Sequence, residues 1–180
     1  MPVPVPDETI LGLIASQPQH GYEILAHFNA SEKLAWIWNI SASQVYAVLN
    51  RLEKQDLIEG MTIPQKDAPA KKEYAITPQG NQRLMAWLVT PEPSASIRRV
   101  RIEFSSRIYL ARLLGLPDDD IIRFQRLSLK ERISQIEHQY QTTTEEMERM
   151  MTGFILGQLR SALAWVNALD QDRSMQEETN

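Results

Sequence analysis

The third predicted helix of this chain is followed directly by two short strands, and this order restricts the fold more than any other feature. Four apolar residues of the helix have the spacing i, i+3, i+4 and i+7 of a single helix face: Val45, Val48, Leu49 and Leu52. Ser41 and Ser43 are both possible N-caps for this helix. Residues 57–63 and 72–76 then have the composition of short strands. The pattern predicts a mainly α-helical protein that also contains a small β-hairpin.

Two helices precede this one and another follows the hairpin. Residues 10–14 form a short apolar helix, and a second helix begins near His20. The fourth helix begins at Thr77 and Pro78, with threonine as the N-cap and proline at the first helical position. Three helices, a hairpin and a fourth helix in this order predict a winged helix-turn-helix domain over residues 1–90.

The outer face of the third helix has the composition of a surface that reads DNA. It is polar and contains no acidic residue. The acidic residue of this helix, Glu53, lies to one side of that face. Asn50 and Gln44 are suited to pair with adenine, and Arg51 is suited to read guanine or to bind phosphate. Lysines of the hairpin are placed to reach an adjacent groove or the DNA backbone. The residues predicted to contact DNA are Tyr22, Ser41, Ser43, Gln44, Tyr46, Asn50, Arg51, Lys54, Lys66, Lys71 and Lys72.

The charge of the chain leaves a second interpretation open. The net charge is −4, so DNA binding requires that the positive charge be concentrated on one surface. A polar outer face is also what any surface helix shows, and some winged helices bind proteins instead of DNA. The alternative prediction is therefore a winged-helix module for protein interaction that does not bind DNA.

Several separated motifs resemble the PadR-like transcriptional regulators, in the same order along the chain. The resemblance spans residues 7–170 and is carried by His20–Leu25 (HGYEIL), Trp38, residues 43–46 (SQVY), residues 71–80 (KKEYAITPQG), residues 100–104 (VRIEF) and residues 163–166 (LAWV). It implies a homodimeric repressor or activator whose C-terminal helices supply the dimer. In some members of that family an aromatic acid releases the DNA, although nothing in the composition of this chain shows such a ligand.

Two residues depart from the pattern of that family. Ala47 follows the tyrosine of the third helix, where the family often has proline. Asp56 precedes the first strand, where the family often has glycine. We expect Asp56 to alter the turn into the hairpin, and with it the angle of the hairpin.

The second half of the chain reads as helix throughout. Residues 91–96 contain two prolines among small polar residues and are predicted to be a linker. Residues 97–180 are predicted to be a helical dimerisation domain, with a break at residues 142–146. The apolar residues that follow a coiled-coil spacing are Leu129, Ile133, Ile136, Tyr140, Thr143, Met147 and Met150.

Helices without a globular core of their own need a partner. Pairing with a second copy of the chain is the simplest solution, and the resulting two-fold axis matches a palindromic operator. A fragment that ends at Val89 is then expected to be a soluble monomer that binds DNA weakly.

Composition and motifs argue against an enzyme, a cofactor and a membrane protein. The chain has no cysteine, and its three histidines, His20, His27 and His138, lack metal-ligand spacing. Asp118, Asp119 and Asp120 are interpreted as helix-capping residues, not as metal ligands. No apolar run approaches the roughly 20 residues of a membrane span, and the N-terminus lacks signal-peptide features. The expectation is a cytoplasmic protein without a cofactor or a metal site.

A small aromatic acid is the predicted effector. Trp36 and Trp38 immediately precede the third helix, and Arg98 and Arg101 follow the linker. A planar ligand stacked on the indoles would tilt the helix, and an arginine would bind its carboxylate. Aromatic residues at such positions are more often part of the core, so both interpretations stay open.

Overall fold

A computed structural model describes residues 4–29, 32–64 and 71–177, with side chains described up to residue 169. The helices and strands are, in chain order, α1 (Asp7–Ser16), β1 (Gln19–His20), α2 (Gly21–Ala26), a 3₁₀ turn (Lys33–Trp36), α3 (Ala42–Lys54), β2 (Ile58–Ile63), β3 (Lys71–Ile76), α4 (Pro78–Leu88), α5 (Ile97–Arg99), a π-helical segment (Val100–Phe104), α6 (Ser105–Leu113), α7 (Asp119–Thr142) and α8 (Glu146–Glu177). The mainly helical fold with a small hairpin is therefore confirmed. None of the described helices is long and apolar enough to cross a membrane.

The chain divides into two compact units. The first contains Met1–Val89 together with Ser105–Pro117, and the second contains Thr90–Phe104 together with Asp118–Asn180. The predicted linker at residues 91–96 thus lies at the start of the second unit. A single boundary at residues 91–96 would place α6 in the second unit, whereas in the structure α6 belongs to the first.

The core of the first unit is built on α1 and α3. Apolar residues that are almost completely buried come from both helices: Ile10, Leu11, Leu13, Ile14, Val45, Val48, Leu49 and Leu52. The predicted apolar stripe of α3 is therefore its core face. Against α1 packs α6, and a Cβ added to Gly12 would lie 2.5 Å from Cδ1 of Leu110. The small residue at position 12 is what allows this close approach of the two helices.

Local side chains define where α3 and α4 begin. Ser41 is the N-cap of α3, and its Oγ accepts a hydrogen bond from the backbone N–H of Gln44 at 3.4 Å. The side-chain Oε1 of Gln44 accepts one from the backbone N–H of Ser41 at 2.8 Å, which completes a capping box. Thr77 caps α4 by accepting from the N–H of Gly80 at 3.0 Å. The N-cap predicted at Thr77 is confirmed, and at α3 the structure selects Ser41.

The sheet has three antiparallel strands in the order β1-β3-β2. Between β2 and β3 the register runs from Ile58 opposite Ile76 to Ile63 opposite Lys71. The hairpin of β2 and β3 is called the wing below. The strand β1 was not predicted, because its two residues, Gln19 and His20, are too few to show an alternating pattern.

Asp56 adopts the backbone conformation that glycine would adopt. Its φ angle is +54°, in the left-handed region, directly after the C-cap of α3. Its carbonyl oxygen accepts a hydrogen bond from Oγ1 of Thr77 at 2.7 Å, which ties the turn to the start of α4. The aspartate thus occupies the turn in a conformation typical of glycine, at some cost in backbone energy.

Replacing Asp56 with glycine is expected to raise the free energy of unfolding by about 1 kcal/mol, because the unfavourable contact of Cβ in this conformation is lost. Chemical denaturation of the full chain measures this difference. As a control, Asp56→Ala keeps the Cβ and loses the carboxylate, so it should lower the stability. A glycine variant that unfolds at lower denaturant concentration would contradict this account of the turn.

The second unit is dominated by the antiparallel pair α7 and α8. Its direction follows from hydrogen bonds between Arg126 and Asn167 at 2.9 Å and between Arg160 and Glu137 at 2.7 Å. Between the helices, Glu145 accepts a hydrogen bond from the backbone N–H of Glu148 at 2.5 Å and so starts α8. The predicted break at residues 142–146 is confirmed.

The predicted coiled-coil seam does not continue across this break. Leu129, Ile133 and Ile136 of α7 are buried, whereas Met147 and Met150 of α8 are exposed. The chain reverses between the helices, so the face of α8 that packs against α7 is a different one. It consists of Thr152, Leu156, Leu159 and Val166.

Candidate nucleic-acid interface

The outward face of α3 is exposed along its whole length. The exposed residues of the helix are Ala42, Ser43, Gln44, Tyr46, Ala47, Asn50, Arg51 and Lys54. None of them is acidic, and Glu53 is half-buried at the side of the helix. The face therefore offers amide, hydroxyl and cationic groups without a carboxylate that would repel phosphate.

Asn50 lies in the middle of this face. Its side chain is exposed and makes no hydrogen bond with the described part of the chain. An asparagine amide has one acceptor and one donor in the arrangement that pairs with the N6 and N7 atoms of adenine. Asn50 thus retains the complete set of groups for base recognition.

Gln44 has a different local role from Asn50. Its Oε1 accepts hydrogen bonds from the backbone N–H and from Oγ of Ser41, at 2.8 and 3.1 Å. Bidentate recognition of adenine needs this oxygen, so Gln44 as placed holds the start of α3 instead. The signal was present in the sequence, since Ser41 and Gln44 have the spacing of a capping box.

Arg51 is bound to Asp7 of α1. Its Nε lies 2.7 Å from Oδ1 and its Nη2 lies 2.6 Å from Oδ2, a bidentate pair. The side chain of Asp7 is only 4% exposed, and its hydrogen bond raises the pKa of Arg51 above the usual value. The guanidinium predicted to read guanine or phosphate is therefore engaged within the fold.

A second carboxylate at the start of α1 makes a similar contact with α4. Arg83 of α4 donates to Oε1 of Glu8 from Nη2 at 2.7 Å and to Oε1 of Gln55 from Nη1 at 2.9 Å. Together with the pair of Asp7 and Arg51, this contact fixes α3 and α4 to the same end of α1. The orientation of α3 is thus set by ion pairs as well as by its apolar face.

Tyr22 and Lys71 form a cluster beside the wing. The ammonium of Lys71 lies 3.4 Å from the hydroxyl of Tyr22 and 4.9 Å from the centre of its ring. The ring of Tyr22 stacks on His20, with centroids 5.5 Å apart, and is about half exposed. A hydroxyl and an ammonium side by side on an exposed surface are suited to bind a phosphate oxygen.

The remaining predicted contacts are distributed as follows. Tyr46 is exposed and packs near Gly21 of α2, where an added Cβ would lie 2.7 Å from its ring. Lys54 is exposed at the end of α3. Lys72 of the wing is bound to Glu53, so its ammonium is directed at α3. Lys66 lies outside the described residues.

The residues predicted to bind an effector differ in their surroundings. Trp38 is buried, and its indole N–H donates to Oγ of Ser106 in α6 at 2.9 Å, so its packing is that of a core residue. Trp36 is 85% exposed at the end of the 3₁₀ turn. Arg98 and Arg101 are exposed and belong to the second unit, whereas both tryptophans belong to the first.

No group of three or more histidine, aspartate or glutamate side chains in the described ranges has the arrangement of a metal site. Asp118 precedes α7 and is buried, and its backbone carbonyl accepts from the N–H of Ile122 at 3.0 Å. The three aspartates of residues 118–120 thus lie at a helix start, where carboxylates favourably face the helix dipole.

Comparison with known proteins finds similarities within the first unit. Residues 10–86 match the model of the transcriptional regulator PadR-like family. A probable transcriptional regulator of Mycobacterium tuberculosis, Rv1176c, is 30% identical over 82 residues, which are 46% of this chain and 42% of that protein. The alignment thus spans less than half the length of this relative.

The solved structures to which this chain is similar include two from Bacillus. PadR of Bacillus subtilis in complex with operator DNA is 24% identical, with 94% of this chain and 97% of that chain covered and a TM-score of 0.48. A PadR-like transcriptional regulator from Bacillus cereus is 29% identical over 44% of this chain and 73% of that chain, with a TM-score of 0.37. The family match over residues 10–86 contains α3 and the wing, so this part of the chain is similar to the PadR-like transcriptional regulators.

Proposed function

We propose that this protein is a sequence-specific DNA-binding regulator that inserts α3 into the major groove as a homodimer. The observation that carries the proposal is the exposed, acid-free face of α3 with Asn50 at its centre. A helix of 13 residues with such a face has the dimensions and the polar groups that major-groove recognition requires. The similarity of residues 10–86 to a family of transcriptional regulators supports the same assignment.

In this proposal the residues predicted to contact DNA have different roles. Asn50 reads a base, while Tyr22 and Lys71 bind the sugar-phosphate backbone beside the groove. Gln44 and Arg51 act indirectly, because one caps α3 and the other holds it against α1. Base specificity then depends on fewer side chains than the sequence alone predicts.

Replacing Asn50 with alanine is expected to weaken binding to the preferred site by about 1–3 kcal/mol, because a bidentate contact to adenine is lost. Binding to random DNA should change much less. The preferred site is first obtained by selection from a random-sequence library, and fluorescence anisotropy then gives both affinities.

Gln79→Ala serves as the matched control for this variant. Gln79 is an exposed amide on α4, outside the proposed interface, and its loss should leave both affinities unchanged. Equal losses of Asn50→Ala on the preferred site and on random DNA would assign Asn50 to the phosphate backbone. A chain that binds no DNA in the selection would leave the protein-interaction module as the function of this winged helix.

A homodimer is proposed from the exposed apolar face of α8. Four residues at i, i+3, i+4 and i+7 form it: Met147, Met150, Met151 and Phe154. They lie on the side of α8 opposite to the residues packed against α7. A continuous apolar stripe on a surface marks an interaction site, and a second copy of the same helix presents a matching stripe.

Two-fold symmetry of the dimer predicts a palindromic operator with half-sites separated by one turn or several turns of DNA. Repression is the simplest action of such a complex, because an occupied promoter site is closed to other proteins. A footprint of the protein on the selected DNA gives the half-site spacing directly. Transcription of a reporter gene behind that site gives the sign of regulation.

A further inference from the structure

The two consecutive lysines at the start of β3 make different contacts. Successive residues of a strand point to opposite faces of the sheet. Lys71 meets the exposed Tyr22 of α2, whereas Lys72 meets Glu53 of α3. Two residues with the same charge and neighbouring positions therefore have separate environments.

The contact between Lys72 and Glu53 uses both carboxylate oxygens. The ammonium lies 2.7 Å from Oε1 and 2.7 Å from Oε2, and it lies 5.4 Å from the ring centre of the buried Tyr74. The pair is partly exposed to solvent, and pairs of this kind contribute little to global stability. Its geometry joins the wing to the helix that is proposed to enter the groove.

Gly60 of β2 leaves the space in which this contact is made. In the register of the wing, Gly60 lies opposite Tyr74 and Thr62 lies opposite Lys72, so the lysine crosses diagonally over Gly60. A Cβ added at position 60 would lie 2.1 Å from Cε of Lys72 and 2.8 Å from Oε1 of Glu53. A side chain at position 60 would therefore occupy the space in which Lys72 and Glu53 meet.

The contact also acts far from the base of the wing. The base is the pair of Ile58 and Ile76, where Ile58 is buried in the core of the unit. Lys72 is four residues away, about 13 Å along an extended strand. β1 holds β3 as far as the pair of His20 and Glu73, so the contact of Lys72 with Glu53 acts where the wing extends beyond β1 and restrains that outer part against α3.

We propose that Glu53, Lys72 and Gly60 form a positioning strut, which holds the wing at a fixed angle to α3 so that both meet the DNA together. This inference rests on the proposed DNA binding. Lys72 acts through Glu53 and does not contact phosphate, in contrast to the expectation from sequence. Only Lys71 of the two lysines then contributes a phosphate contact.

The test compares the salt dependence of DNA binding for variants of the full chain. Each phosphate contact contributes about 0.9 to the slope of log K against log salt concentration. Lys71→Ala should weaken binding and reduce the slope by about 0.9 for each protomer in the complex. Lys72→Met should weaken binding about tenfold with an unchanged slope, as expected for a residue that acts on a two-state orientation.

Glu53→Gln separates the strut from direct contact, because the two roles predict opposite signs. As a strut residue, Glu53 is needed, so its loss should weaken binding about tenfold although a negative charge has been removed. Gly60→Ala should have the same effect with both charges retained, since the new Cβ displaces the flexible end of Lys72. Glu59→Gln removes an exposed charge elsewhere on the wing and serves as the control for Glu53→Gln.

The other outcomes overturn the proposal. Tighter binding and a steeper slope for Glu53→Gln would show that Lys72 is a phosphate ligand that Glu53 restrains. Unchanged affinity would show that the pair has no role in DNA binding. Losses that follow only the fraction of unfolded protein, measured by thermal melting, would make the pair an ordinary structural contact. If the wild-type chain itself binds no DNA, the proposed function fails before any variant is compared.

Discussion

A fragment that ends at Val89 is expected not to fold, although the sequence alone predicts a soluble domain with this boundary. The fragment lacks α6, whose Leu110 and Ala111 are completely buried in the first unit. It also lacks Ser106, the hydrogen-bond acceptor of the Trp38 indole. Burying one leucine side chain stabilises a protein by about 1.5–3 kcal/mol, and an entire domain is stable by only about 5–15 kcal/mol. Loss of a whole packed helix therefore removes most of the available stability.

A second fragment, ending at Pro117, provides the matched comparison. It retains α6 and with it every segment of the first unit. We expect this fragment to unfold cooperatively in denaturant and to show dispersed amide resonances, while the shorter fragment shows neither. A cooperative transition of the shorter fragment at the same denaturant concentration would show that α6 contributes nothing to the unit.

The elements that the sequence predicts well are those defined by local interactions. The apolar face of α3 repeats within eight residues, and the cap of α4 joins Thr77 to a residue three positions away. The break before α8 is local as well, because the side chain of Glu145 accepts from the start of that helix. Such interactions depend on spacing alone, so they can be read without knowledge of the tertiary structure.

The site is harder to predict because its polar contacts join distant parts of the chain. Arg51 and Asp7 are 44 residues apart, and Lys72 and Glu53 are 19 apart. From sequence, both cations are equally suited to phosphate, and only the fold shows that each faces a carboxylate. The membership of α6 in the first unit is hidden for the same reason, because the sequence of this helix does not show which other helix it packs against.

The type of a side chain and its place in the fold together decide whether it is available to contact DNA. The acid-free face of α3 is visible in its composition, and the amide of Asn50 remains available for the proposed base contact because no described neighbour bonds to it. Gln44 and Arg51 have the right side chains for DNA but lie where the helix needs a cap and an anchor. In the proposed complex, replacing Arg51 is expected to weaken DNA binding through the orientation of α3 and not through a lost base contact.

Replacing Phe154 with glutamate is expected to convert the proposed homodimer into a monomer. Phe154 is 60% exposed and lies at the end of the stripe that begins at Met147. A glutamate there would place a charge in an apolar interface, where it has no partner and must lose its hydration. Sedimentation velocity gives the mass of the variant, and the helix content measured by circular dichroism should not change, because the side chain does not face α7.

The same variant is expected to bind its operator about 10²–10⁴-fold more weakly, since two separate monomers lose the effective concentration that links the half-sites. Binding to an isolated half-site should be unaffected, which distinguishes a lost dimer from a damaged α3. Ser134→Glu places the same charge on the exposed side of α7 and should leave both mass and affinity unchanged. A Phe154→Glu chain that remains dimeric would move the interface away from this face of α8. A monomer with full operator affinity would instead show that each protomer recognises its DNA alone, and the argument for a palindromic operator would then lose its basis.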